Sequence, residues 1–110
     1  MPWKVTIMRP GEDDLEDVID LPAEPKMPQL QTALRQILGA PNPEHVRVLA
    51  HGKMRDMFVD EDGHAKGLAL NDSATAYYRA SWLKAHPGTP PASLPPIVGP
   101  AVLFALRIWS

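Results

Sequence analysis

Cysteine is missing altogether from the 110 residues. That removes disulfides, thiolate metal sites and a cysteine nucleophile together. Long apolar runs are missing too: the longest, residues 101–106, falls far short of the roughly 20 residues a membrane span needs. The opening stretch, MPWKVTIMRP, has neither the apolar core nor the small-residue cleavage site of a secretory signal. The expectation is a soluble cytoplasmic chain (host-cell cytoplasm if phage-encoded) with no membrane partner. There is no glycine-rich phosphate loop, and Ser73, Ser81, Ser93 and Ser110 sit in no recognisable nucleophile elbow. Without a nucleophile, base and orienter in view, the chain reads as a non-enzyme with no cofactor.

Net charge is only −2, but its distribution is uneven. Residues 1–62 hold 12 acids and 7 bases, while residues 63–110 hold 1 acid and 4 bases. With 45% hydrophobic and 22% charged residues, the composition is that of an ordinary globular protein, and the length fits one domain spanning 1–110. Proline is the outlier, 13 residues against a usual share of about 5%. The prolines gather at 22–28, 41–43 and 87–100 and divide the chain into elements.

Trp3, Val5 and Ile7 alternate with Lys4, Thr6 and Met8, the period of a half-buried strand. A second strand is expected over 15–21, joined to the first by an exposed acidic connection containing Glu12, Asp13 and Asp14. Leu30, Ala33, Leu34, Ile37 and Leu38 form one helical stripe. Pro28 suits the first turn of that helix and Gly39 its left-handed end. Strands follow at 45–51 and 54–60, with Gly52-Lys53 as the turn between them. Asn71 is placed to cap a second helix, with Ala74, Tyr77, Tyr78, Ser81, Trp82 and Ala85 on one face and Pro87-Gly88 ending it. The apolar segment 101–109 reads as a central strand, possible to cover on both faces. The prediction is an α+β fold with a mixed sheet of about five strands and two helices, ordered ββ-α-ββ-α-β, the element order of the β-grasp class. The alternative is another α+β sheet with both helices on one face.

Several residues of the second half also follow a family pattern. They are Val59-Asp60-Glu61-Asp62-Gly63, then Gly67-Leu68-Ala69-Leu70-Asn71, then Ala74-Thr75, and finally Ile97-Val98-Gly99. In this the chain resembles the family designated domain of unknown function 3846, small proteins carried by phages, plasmids and bacteria with integrated elements. Its pattern is a valine, an acidic turn ending in glycine, a Gly-Leu-x-x-Asn-x-x-Ala-Thr run and a terminal Ile-x-Gly. Gln31 in the first helix has a counterpart. Ile37-Leu38-Gly39-Ala40 departs from the valine and two glycines the family favours, and the first 25 residues show little likeness. The resemblance implies a mobile-element setting and no particular reaction.

Each motif has a plain reading. The acidic turn lacks the later oxygen ligands of a calcium loop, which leaves a solvated turn whose Gly63 supplies positive φ. His45, His51, His64 and His86 have none of the spacings of a zinc site, so no metal is expected. Asn71 is read as a cap rather than an anion site, since Asp72 would compete with an anion. Gly63, Gly67, Leu68, Asn71, Ala74, Thr75 and Gly99 are therefore read as structural. Tyr78 and Trp82 fit the core with Tyr77 at its edge; alternatively these aromatics and Arg79 form a contact surface. The proline-rich segment 88–96 is either a spacer or a polyproline ligand.

Three functions follow. The first is a non-enzymatic protein-binding module of a phage or mobile element, modulating a host or defence protein, with its partner surface at Tyr77, Tyr78, Arg79, Trp82, Glu12, Asp13 and Asp14. The acids there would mimic nucleic-acid phosphate. The second is a nucleic-acid contact through Arg79, Lys84 and Lys66. The third is a small, nucleotide-like ligand held between the second helix and the sheet by Tyr77, Tyr78 and Trp82. A homodimer is expected if the last strand is left uncovered.

Overall fold

The alternation at the start of the chain becomes strand β1 (Pro2–Met8), paired antiparallel with β2 (Leu15–Asp20). A computed structural model describes residues 2–108, the Pro91 side chain excepted. Helix α1 (Met27–Leu38) follows. Lys26 donates its backbone N–H to Gln29 Oε1 at 3.1 Å before the first turn. At the other end Gly39 adopts φ 63° and donates its N–H to the Arg35 carbonyl at 2.9 Å.

β3 (Pro43–Ala50) and β4 (Lys53–Asp60) form the second hairpin. Ala50 pairs with Lys53, so the connecting residues are His51 and Gly52, not Gly52 and Lys53. Both have positive φ, 52° and 77°, the geometry that matches strand twist in a two-residue hairpin. Helix α2 (Asp72–Ala85), a short 3₁₀ turn at Pro91–Ser93 and β5 (Ala101–Phe104) complete the order.

The sheet order is β2-β1-β5-β4-β3. Five strands and two helices occur in the expected sequence, but every strand pairing is antiparallel. The sheet is therefore not mixed, and β5 does not run parallel to its neighbours as a crossover into a β-grasp sheet would have it. The cause lies in the long excursion between β4 and β5. Helix α2 runs out along one face and the proline-rich segment runs back, so β5 begins where β4 ended, with Ala101 opposite Val59.

The two helices lie on opposite faces, and β5 supplies both cores by strand alternation. Val102 and Phe104 join Trp3, Val5, Ile7, Phe58 and the buried Leu30, Leu34 and Leu38 of α1. Each of those leucines contributes roughly 1.5–3 kcal/mol of gross burial. Ala101 and Leu103 join Met8, Val48, Met57, Val59 and Ala74 of α2. All four β5 residues are buried. The strand is central and covered on both faces, which removes the ground on which a dimer was expected. It ends at Phe104, short of the predicted 109: the Ala105 N–H makes a last bond to the Lys4 carbonyl, and the chain then bends so that the Ile108 N–H meets Asp56 Oδ2; Trp109 lies outside the described residues.

Candidate functional site

The residues of the family-like pattern from Gly63 to Gly99, up to 36 positions apart in sequence, meet at one point. Asn71 Oδ1 accepts the Ala74 N–H at 3.1 Å, capping α2. Its Nδ2 donates to the Met8 carbonyl at 3.0 Å and to the Gly99 carbonyl at 2.8 Å. Thr75 Oγ1 accepts the Ile97 N–H at 2.9 Å and donates back to the Ile97 carbonyl at 3.2 Å. Backbone bonds from Asn71 to Ile97 and from Gly99 to Ala69 close a short ladder, with Leu70 bridged to Val98. A Cβ on Gly99, where φ is 77°, would stand 2.6 Å from Leu68 Cδ1. These residues fasten the start of α2 to the entry of β5, which is a folding role.

Gly63 belongs to the same cluster for a reason different from the expected one. It is absent from the positive-φ residues. Its constraint is proximity: a Cβ there would lie 3.0 Å from Val98 Cγ2 and 3.1 Å from the Val98 carbonyl oxygen. The acidic turn is organised by Asp60, which is buried and accepts the Asp62 N–H at 2.9 Å while holding Lys66 Nζ at 2.7 Å. Lys66 is thereby paired, though its side chain stays exposed. Arg79 is engaged too: its Nη2 donates to the Leu94 carbonyl at 3.1 Å and pins the proline-rich segment to α2. Leu94 is buried, so that segment is folded against the body.

The three aromatics of α2 do not all meet: Tyr78 and Trp82 are neighbours, 6.5 Å between ring centres, while Tyr77 faces His51. Tyr77 and Tyr78 are half-buried and pack against the second core. Trp82, placed in the core by its helical spacing, is instead 37% exposed and stacks on His86 at 4.1 Å between ring centres. It stands in the last turn of α2, where Lys84, Ala85 and His86 are exposed as well. Ser81, one residue earlier, still reaches the sheet: its Oγ accepts the Leu49 N–H at the β3 edge, at 3.0 Å. Tyr78 borders a cleft of about 200 Å³ with Pro96 and Asp60, whereas Tyr77 borders a separate groove of about 590 Å³ on the other side of the helix.

The histidines are likewise dispersed, and among the described residues no group of three or more potential metal ligands converges. His45 Nε2 lies 2.6 Å from Asp56 Oδ1. Asp56 is fully buried, and its Oδ2 accepts the Ile108 N–H at 2.7 Å. This carboxylate anchors residues 105–108 against β4. A signal for it was present: Asp56 alternates with Met54 and Phe58, an acid on an apolar strand face. No helix is long and apolar enough to cross a membrane.

Two surfaces remain open. One is the β2 edge. The other edge strand, β3, has α2 laid along it through Ser81. Among the described residues β2 has no such contact, and every residue from 11 to 20 except Ile19 is exposed. Leu15 and Val18, 50% and 57% exposed, stand among Glu16, Asp17 and Asp20 and next to Glu12, Asp13 and Asp14. The second surface is the Tyr77 groove, where α2 leaves the β1–β2 half of its sheet face bare. Sequence reasoning passed over Leu15 and Val18 and also Arg55, a base alternating with Met57 and Val59. Comparison with protein-family models, curated proteins and solved structures found no match for the chain.

Proposed function

We propose that this chain is a non-enzymatic protein-binding module of a phage or mobile element, which takes a basic, extended segment of a host or defence protein along the β2 edge. The observation that carries the reading is the unequal treatment of the two sheet edges. α2 reaches the β3 edge at Leu49 through Ser81; among the described residues no helix side chain does the same at β2, where Leu15 and Val18 are exposed among acids. An uncovered edge strand is a template for another strand. From residue 10 to residue 25 the chain holds seven acids and no base, so two copies of the edge would repel one another, and a basic segment complements it. The mobile-element setting rests on the family-like pattern, and the host or defence partner follows from that setting.

Support for nucleic acid is weaker. Of the three bases read as a contact, Lys66 is paired with Asp60 and Arg79 is bonded to Leu94, which leaves Lys84. The test is capture from host lysate with tags at either end, comparing the native protein with the triple variant Glu12→Lys, Asp13→Lys, Asp14→Lys. A partner held by the native chain, weakened by added salt and lost in the triple variant, supports the proposal. Equal recovery by both proteins sinks it.

A further inference from the structure

The groove beside Tyr77 adjoins the β2 edge, with Glu16, Asp17 and Val18 on its border, and has a chemistry of its own. It arises because α2 covers only the β3–β4 side of its face of the sheet, leaving the surface of β1 and β2 open next to the helix. Lys4, Thr6, Arg55 and Leu103 lie along its floor, and Tyr77 and His51 form its wall. Its size, about 590 Å³, lies in the range usual for small organic ligands.

Arg55 is the informative residue. Its Nε is buried and, among the described residues, has no hydrogen-bond partner. Buried donors are nearly always satisfied, and a guanidinium more so than most. Val48 and Met57 neighbour it on the same face and offer apolar carbon. Of the acids bordering the groove, Asp17 is directed to the opposite face by strand alternation and accepts its neighbour Val18 N–H at 2.8 Å. Among the groove's lining residues Glu16, opposite Thr6, is the one acid directed to this face, against the two bases Lys4 and Arg55; Asp20, opposite Pro2, shares the face but lies outside the lining. The excess is positive, and the fork of Arg55 is shaped to take two oxygens of one anion. Tyr77 adds an aromatic surface: its ring meets His51 edge-on at 6.1 Å, and its hydroxyl lies 3.3 Å from His51 Nε2. The pair stiffens the wall and presents a ring to whatever occupies the space.

We propose that this groove binds a small planar organic anion, with its phosphate or carboxylate on Arg55 and Lys4 and its ring against Tyr77. The experiment is an amide-resolved NMR titration of the full chain with four probes: adenosine 5′-monophosphate, benzoate, inorganic phosphate and uncharged adenosine. The first two separate phosphate from carboxylate as the source of charge; the last two supply the charge or the ring alone. Expected are shifts at Lys4, Thr6, Arg55 and Tyr77 with at least one ring-bearing anion, and affinities about tenfold or more weaker for phosphate and adenosine. Arg55→Gln should lower affinity for that anion by about tenfold or more. Arg55→Lys keeps the charge and the stem, and should show a smaller but measurable loss; it serves where the glutamine variant is poorly folded.

The proposal is overturned if neither ring-bearing anion shifts these amides at millimolar concentration. It is overturned equally if phosphate or adenosine alone binds as tightly, or if binding is indifferent to both Arg55 variants. The triple reversal at residues 12–14 should leave this binding in place, so failure here and failure of the edge reading are separate results.

Discussion

Asn71 Nδ2 donates to the Gly99 carbonyl at 2.8 Å across 28 residues of chain, and this bond joins the start of a helix to the entry of the central strand. The same amide group donates to Met8 at the end of β1 and accepts from Ala74 in the first turn of α2. One side chain therefore satisfies a strand end, a strand entry and a helix cap inside a site that excludes water, since Asn71 is 2% exposed. The residues of the family-like pattern are adequately explained by this joint.

Replacing Asn71 should show the cost of all three bonds together. Asn71→Ala removes the cap, worth typically about 1 kcal/mol, and leaves two buried carbonyls without their donor. The expected loss is roughly 2–4 kcal/mol of unfolding free energy, read by chemical denaturation. Asn71→Asp keeps the acceptor for Ala74 but sets a carboxylate against both carbonyls, so the stability lost by the alanine variant should not be regained. A loss under about 1 kcal/mol in Asn71→Ala would mean the joint is not stabilising.

The carboxylate of Asp56 should govern the order of the chain end. Asp56→Ala strands the buried Ile108 N–H, at a cost of roughly 1–3 kcal/mol, and removes the partner of His45. Hydrogen exchange should then accelerate at residues 105–108 before it does in β1 or β4, because the anchor and not the sheet has been lost. Unchanged protection at Ile108 would show that apolar packing alone holds this segment.

The two described tryptophans should behave in opposite ways. Trp3 is buried, donates Nε1–H to the Pro22 carbonyl at 3.0 Å and meets Phe104 edge-on at 6.2 Å. Trp3→Ala should cost about 3–5 kcal/mol. Trp82 is partly solvated and stacks on His86 at the end of α2, so Trp82→Ala should cost less than about 1 kcal/mol. Paired denaturation curves decide it; equal losses would place Trp82 in the core after all.

Local pattern was enough for the elements themselves. The alternation of Trp3, Val5 and Ile7, the stripe from Leu30 to Leu38 with Gly39 beyond it, and the cap at Asn71 are each written within a few residues, because strand and helix periods and caps are short-range properties. Trp82 was misplaced by the same reasoning. Helical spacing says which residues share a face, but not how far the sheet beneath that face extends. The direction of β5, the proximity constraint on Gly63 and the grouping of Lys4, Arg55 and Tyr77 depend on contacts between segments tens of residues apart. Composition and periodicity carry no record of such distances. The sequence by itself determined the parts and their order; only the tertiary structure decided which edge and which groove were left open, because those are what remains after α1 and α2 have covered the rest.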